Sequence, residues 1–402
     1  MPARQDSGIN SSAPKRHSTL YLHDGDIILS SPNNDNTNVL FRVHRAILTH
    51  HSAVFSSILS IPSPPESNEI YEGAPLIQLT EDANDVEALV NALYNPSTIA
   101  PKKMDPDLPL RVRGILKLAE KYQIDSVRQL IIQRLEVDWP QNVSEWYLFV
   151  AAKERERILR NKSIHSPTID SMFPEPASAI RLAMEFNIPS ILPAAYYMLV
   201  QTDPSETWTI ATQNSAARWQ LLDNTDFVHY IRGRHELATS LTSISESIYG
   251  FSDSWSTDGR EFCHTGRCDD ILAKKSVDLD RGSQENAILP DPLKLLYQAQ
   301  QKLEESIERE RDWSDYQDDD YAPELCYTCN MAVQSNISRE MRKIWGRLPQ
   351  TFGVYLKQSL ELSDEDVRAS VFFVSNNPDL ACSESRTTVA AFVKLGSHFD
   401  AD

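Results

Sequence analysis

The stretch FRVHRAILTHHSAVFSSIL, residues 41–59, changes its hydrophobic period within a few positions, and this change constrains the fold more than any other feature. Up to Val43 apolar and polar side chains alternate, which is typical of a half-buried strand. From Ile47 onward the apolar residues recur at three- and four-residue steps. That is the spacing of one helix face, or of two short helices kinked near Ser52. The chain is therefore expected to pass from a strand directly into helical structure.

Segments on both sides of this stretch predict a short sheet flanked by helices. The sequence TLYLHDGDIILSS, residues 19–31, alternates apolar and polar side chains and predicts a half-buried strand. Residues 26–43 predict a β-hairpin, because the sequence PNNDNTN between its two apolar runs has turn chemistry. The sequence APLIQLT, residues 74–80, predicts a third strand. A helix then begins with Asp82 or Asp85 as its cap. The helices predicted in this part of the chain lie at 82–95, 109–124 and 125–139, with Asp125 as the expected N-cap of the last.

After residue 138 the apolar pattern is helical, so the fold class is α+β followed by an all-helical C-terminal region. The predicted helices there lie at 143–160, 174–188, 189–200, 225–241, 291–311 and 338–356. The last of them is expected to break at Leu348-Pro349, because proline removes a hydrogen-bond donor. We divide the chain into a disordered tail (1–17), an α+β domain (18–137), a helical region (138–240), a Ser- and Asp-rich linker (241–262), a helical module with two cysteine pairs (263–361) and a tail without assignment (362–402).

Charge and hydropathy exclude several classes of function. The formal net charge is −18, which opposes non-specific binding to nucleic acid or to an anionic membrane surface. No apolar run approaches the ~20 residues that cross a bilayer, and the N-terminus does not have the apolar core of a secretory signal. Five cysteines in 402 residues do not suggest a disulfide framework. We therefore expect an intracellular protein, in the cytoplasm or the nucleus.

Sequence motifs of the common enzyme classes are missing from the chain. It contains no GxxxxGK[ST] phosphate loop, no GxGxxG after a strand, no HExxH and no GxSxG. Glycine occurs only 12 times, which disfavours loops that cradle phosphate. Carboxylates are abundant, but they fall on helix faces and in acidic loops, where solvation explains them. The sequence therefore predicts a protein without catalytic residues.

Two close cysteine pairs are the one pattern with metal chemistry. Cys263 and Cys268 form a C-x4-C pair, and Cys326 and Cys329 form a C-x2-C pair. Thiolates at such spacings bind zinc tetrahedrally, with His264 as a substitute ligand. A zinc ion held by four protein ligands has no open position for water, so its role would be structural. The alternatives are thiols without a metal and a redox-active C-x2-C, although the βαβ setting of thioredoxin is absent.

The ordered set DIIL, FRVHRAIL, HSAVF, SSIL, PLIQLTEDANDVEALVNALY and LKLAEKYQI resembles a BTB/POZ domain over about residues 19–135. The resemblance is greatest to BTB proteins of fungal, basidiomycete-like type. It implies a short sheet flanked by helices and binding to other proteins, including self-association. In many members it also implies recruitment to the cullin scaffold of a ubiquitin ligase.

The resemblance also bears on the polar residues of the opening stretch. In the family, the positions of Asp26 and Arg45 lie near each other in a shallow charged pocket, which is either a partner contact or a structural ion pair. His44 is interpreted as a hydrogen-bonded core histidine. His50 and His51 are adjacent on a helix and cannot grip one metal ion together. These residues are therefore expected to shape the fold and not to carry catalysis.

Self-association by the usual route is not supported by residues 1–17, which lack the amphipathic helix that packs across the dimer axis in many BTB proteins. A homodimer would use the hairpin edge or the first helix instead. The function expected is that of an interaction protein, for example an adaptor for a cullin-type ubiquitin ligase. The alternatives are a transcriptional regulator that recruits a corepressor and a structural scaffold. Because no kelch or MATH substrate reader is visible, the helical and cysteine-containing module would have to bind substrates.

Overall fold

A computed structural model of the chain describes residues 13–35, 37–60, 70–160, 172–206, 208, 216–250, 268–285, 289–312 and 325–354. It shows the predicted α+β class, with a small N-terminal sheet and its helices followed by a helical region. Across these described ranges, every helix is too short or too polar to span a bilayer. The predicted tail at 362–402 lies outside the described residues.

Five strands of the described segments form one sheet in the order β1-β3-β2-β5-β4. They are β1 (Lys15–Tyr21), β2 (Ile27–Pro32), β3 (Asn38–Val43), β4 (Ile70–Tyr71) and β5 (Ala74–Gln78). The predicted hairpin is confirmed, since β2 and β3 pair antiparallel with Ile27 opposite Val43 and Pro32 opposite Asn38. Strand β5 lies parallel to β2, and β4 turns back onto β5 through Gly73, whose φ of 79° suits glycine.

Strand β1 begins at Lys15, within the segment predicted to be a disordered tail, and it pairs parallel to β3. The half-buried strand predicted at residues 19–31 overlaps only the last three residues of β1. The first four residues were not predicted as strand, because their side chains are polar and mostly exposed. The strand is held by backbone pairing and by Glu72. The carboxylate of Glu72 pairs with the Arg16 guanidinium and accepts a hydrogen bond of 2.7 Å from the Tyr21 hydroxyl.

The helices of the N-terminal part are α1 (Arg45–His51), α2 (Ala53–Ser60), α3 (Ala83–Tyr94), α4 (Leu108–Lys121) and α5 (Asp125–Asp138). The predicted break at Ser52 is confirmed, and its hydroxyl accepts from the Phe55 N–H at 3.0 Å while donating to the Tyr122 carbonyl. Asp82, not Asp85, caps α3 by accepting from the Asn84 N–H. Asp125 was predicted as a cap and is instead the first residue of α5.

The helical region contains α6 (Val143–Arg160), α7 (Pro176–Glu185), α8 (Leu192–Val200), α9 (Asn224–Leu241), α10 (Ile244–Tyr249), α11 (Cys268–Glu285), α12 (Pro292–Asp312) and α13 (Tyr327–Phe352). Helix α10 lies in the predicted linker, where only Ile244 and Ile248 signal burial among polar residues. Helix α11 was not predicted. Helix α13 was expected to break at Pro349 but continues to Phe352, whose side chain is fully buried, and ends at Gly353 in the left-handed conformation.

The two parts of the molecule share a continuous set of buried residues that extends from Leu20 to Val354. Charged groups join them as well: the Arg113 guanidinium on α4 binds the Glu185 carboxylate on α7 through two hydrogen bonds of 2.7 and 3.1 Å. Glu175 is fully buried, and its carboxylate accepts from the backbone N–H groups of Ala177, Ser178 and Arg218. The buried carboxylate is therefore satisfied by two donors at the start of α7 and a third from Arg218.

Candidate functional site

Asp26 and Arg45 lie together, as the resemblance implies, but the contact that joins them is different from the one expected. One carboxylate oxygen of Asp26 accepts a hydrogen bond of 2.6 Å from the backbone N–H of Arg45, the first residue of α1. The guanidinium of Arg45 instead donates to the carbonyl of Leu59 near the end of α2. Asp26 thus satisfies a backbone donor at a helix start where the N-cap residue His44 makes no side-chain cap bond.

This geometry predicts that the Asp26 side chain contributes more to the stability of the fold than the Arg45 side chain does. Asp26→Ala is expected to lower the free energy of unfolding by about 1 kcal/mol, the usual cost of losing a cap. Asp26→Asn keeps an acceptor oxygen and serves as the control, and Arg45→Ala is expected to leave the fold nearly intact. Urea unfolding of the three variants measures these differences. If Arg45→Ala proved the most damaging, the guanidinium would be the structural group instead.

His44 is hydrogen-bonded, as predicted, but it is half-buried and not fully within the core. Its backbone N–H donates to the Tyr94 hydroxyl at 2.9 Å, and its Nδ1 lies 2.8 Å from the same oxygen. Burial raises the pKa of Tyr94. The rings of His50 and His51 meet edge to face, and His51 Nδ1 lies 3.2 Å from the Ser126 hydroxyl. The histidines of this stretch therefore contact neighbouring side chains of the fold, and none joins a metal-ligand cluster in the described residues.

Three of the four predicted zinc ligands are brought together. The Sγ atoms of Cys268, Cys326 and Cys329 all lie within 4.8 Å of one another. A tetrahedral zinc site with Zn–S bonds of about 2.3 Å has S···S edges of roughly 3.8 Å, so the three sulfurs are within a small adjustment of such a site. The fourth predicted ligand, Cys263, and its substitute His264 lie outside the described residues. The three cysteines could hold a metal ion.

The surroundings of these cysteines are those of a buried site. Cys268 is 2% exposed, the other two are half-buried, and none of the three forms a disulfide. Burial, followed by hydrogen bonds with the two neighbouring thiols, holds the pKa of the Cys329 thiol well above its usual range. A redox-active C-x2-C needs an accessible thiol with a lowered pKa. The environment of Cys329 is the opposite of that.

A surface cleft where the two parts of the molecule meet was not anticipated from the sequence. It has a volume of about 540 Å³ and is lined by Met104 from the N-terminal part, by Leu148 and Leu159 on α6, and by Phe173. Leu148 is 67% exposed and Leu159 is 51% exposed. Their spacing of eleven residues places them on one helical stripe, opposite the buried face of α6. This exposed apolar stripe is the feature of the sequence that could have indicated the cleft.

Comparison with known proteins agrees with the fold. Residues 25–138 match the family model of the BTB/POZ domain. No curated protein matches the chain. The matched segment contains the β2–β3 hairpin, the α1–α2 pair broken at Ser52, strand β5 and helices α3 to α5. The N-terminal part of this chain is therefore a BTB/POZ domain, a module for protein–protein interaction.

Proposed function

We propose that this protein is a non-enzymatic adaptor that binds a cullin-type ubiquitin ligase scaffold through its BTB/POZ domain and the helix that follows it. The observation that carries the proposal is the cleft between the domain and α6, with Leu148 and Leu159 exposed along one stripe. Exposed apolar side chains in a helical row mark a surface that packs against a partner. Adaptors of this kind use helices after the BTB fold to extend the cullin contact, and α6 occupies that position.

Substrate binding in this proposal belongs to the helical region, since no separate reader domain is recognised. Helix α9 presents Val228 and Ile231, which are 65% and 62% exposed. The cysteine cluster enters the proposal as a structural centre for a metal ion and not as an active site. An adaptor of this kind works inside the cell, in the cytoplasm or the nucleus. Self-association through the first helix is also part of the proposal. The hairpin edge, the other predicted route, is already paired, because β1 pairs with β3 and β5 pairs with β2.

Leu148→Asp tests the cleft directly. It is expected to weaken binding to the N-terminal helices of a cullin on the order of 10-fold or more, because a charge would face the apolar partner surface. Its own exposure of 67% means that the fold should be unaffected. Val228→Asp is the matched control, with the same chemistry at 65% exposure on α9. Pull-downs with a panel of purified cullins, quantified by biolayer interferometry, provide the measurement.

The outcomes separate the adaptor from its alternatives. Equal binding by both variants would mean that the cleft is not the cullin surface. If the wild-type protein bound no cullin but had the solution mass of a stable dimer, a structural scaffold or a corepressor-recruiting protein would be the better description. Retention on DNA at low salt would favour the transcriptional alternative, which the net charge of −18 opposes.

A further inference from the structure

We propose that Cys268, Cys326 and Cys329 bind one zinc ion that ties the beginning of α11 to the beginning of α13. The proposal rests first on geometry, because three sulfurs within 4.8 Å of one another come from segments 58 residues apart. Three sulfurs this close need only a small adjustment to reach the mutual spacing of a metal's ligand shell. Zinc prefers this set, since soft thiolates in a tetrahedral arrangement are its usual structural ligands.

The position of each cysteine in its helix also suits thiolates bound to a metal. Helix α11 begins at Cys268, Cys326 is the N-cap residue of α13, and Cys329 lies in the first turn of α13. Helix N-termini carry partial positive charge that stabilises negative groups. The backbone N–H of Cys326 donates to the Cys268 Sγ at 3.3 Å. Hydrogen bonds of this kind to a ligand atom orient it and support its charge.

A disulfide between Cys326 and Cys329 is the alternative explanation for the close approach of these sulfurs, but it accounts for only two of the three. It would use two sulfurs and leave the third, on the buried Cys268, outside the bond. Zinc uses all three and needs no oxidant, because each ligand only loses its proton when the metal binds.

The structural consequence of such a centre follows from how the helices pack. Helices α11 and α13 both pack against α10 and against α12, which lies between them in the chain. A metal bound by residues 268, 326 and 329 would close a loop of 58 residues directly at the ends of two helices. Closing a loop of this length in the unfolded chain removes conformational entropy, so metal binding stabilises the fold. The ion would act as a structural cross-link between α11 and α13 in the C-terminal module.

The experiment uses the full chain, expressed with zinc in the medium and purified without chelator and without a metal-binding tag. Plasma mass spectrometry is expected to find about one zinc ion per chain. Cys268→Ser and Cys329→Ser are each expected to reduce this content close to zero. Cys382→Ser is the matched control, because Cys382 belongs to neither of the close cysteine pairs in the sequence, and it should keep the full content.

A second readout keeps the test valid if the serine variants fold poorly. Replacement of zinc by Co²⁺ in the wild-type protein should give the visible d–d bands and near-ultraviolet charge-transfer bands of tetrahedral thiolate ligation, and a chelator should lower the melting temperature. A metal-free wild-type protein that takes up no Co²⁺ would overturn the proposal, as would full zinc content in Cys329→Ser. A Cys326–Cys329 disulfide in freshly purified, metal-free protein would establish the alternative explanation. None of these readouts depends on cullin binding.

Discussion

Phe55→Asp is expected to unfold the BTB/POZ domain. Phe55 on α2 is 2% exposed, and its ring stacks on Tyr122 with centroids 4.5 Å apart. The substitution removes this packing and places a carboxylate in an apolar site with no counterion. Deleting a buried phenylalanine side chain alone costs about 3–5 kcal/mol, and a buried charge adds to that. A loss of this size is comparable to the whole stability of a typical domain, about 5–15 kcal/mol. Thermal melting followed by circular dichroism measures it.

Ile58→Asp provides the control on the same helix. Ile58 lies three residues after Phe55 and is 45% exposed, so a charge there remains in contact with water. Surface substitutions of this kind usually change the free energy of unfolding by about 0.5 kcal/mol or less. A wild-type melting curve for Phe55→Asp, or a large loss for Ile58→Asp, would show that the buried face of α2 has been assigned to the wrong side.

Trp146→Ala is expected to lower the free energy of unfolding by about 3–5 kcal/mol, the usual cost of removing a large aromatic side chain from a core. Trp146 on α6 is 1% exposed, and its ring meets Tyr147, Tyr197 on α8 and Tyr297 on α12 edge to face at 5.6, 6.5 and 6.3 Å. It therefore joins the first helix after the BTB/POZ domain to two later helices. Urea unfolding followed by far-ultraviolet circular dichroism gives the free-energy difference.

Leu148→Ala is the control for this substitution, because Leu148 lies on the exposed side of the same helix. Calorimetry adds a second observation. Since buried residues are continuous from the BTB/POZ domain into the helical region, Trp146→Ala should shift one common transition. Two separate transitions, with the BTB/POZ transition unmoved, would instead mean that the two parts unfold independently.

Elements with a strong hydrophobic period were predictable from the sequence. The β2–β3 hairpin alternates around a turn rich in asparagine, and α1 and α2 bury Leu48 and Phe55 on either side of the break at Ser52. In both cases the turn or break residues and the hydrophobic period predict the same structure, so the two signals support each other. Where two caps were equally good, as with Asp82 and Asp85, only the structure could choose between them.

Elements held by tertiary contacts could not be predicted in this way. The first four residues of strand β1 are mostly exposed and are held by the partner strand, so the alternation that predicted a strand from Thr19 onward does not extend back to Lys15. Helix α13 continues through Pro349 because only one turn remains and that turn buries Phe352 against Tyr196, with ring centroids 5.3 Å apart. The cost of a missing backbone hydrogen bond is visible in the sequence, whereas the packing that offsets it is not.

The candidate sites also differ in how well the sequence predicted them. The cysteine spacing predicted a metal site, and the structure brings three of the predicted ligands together. This was possible because a cysteine can be recognised as a metal ligand from its residue type alone. The hydrogen bond from the Arg45 backbone N–H to Asp26 could not be predicted from the sequence, because almost every residue has the same backbone N–H group. The cleft beside α6 is lined by three separate segments of the chain, and only the stripe of Leu148 and Leu159 lies within a single segment.

The place of α13 in the fold determines the order in which the protein can form during synthesis. All strands of the described sheet have left the ribosome well before α13 is made, so the BTB/POZ domain can condense early. Helices α8 and α9, in contrast, pack against α13, the last described helix. At about 5–20 residues per second, the interval between Val200 and Phe352 lasts roughly 8–30 s. For that time the apolar face of α8 is without its final cover, and a chaperone that binds nascent chains would have its substrate there.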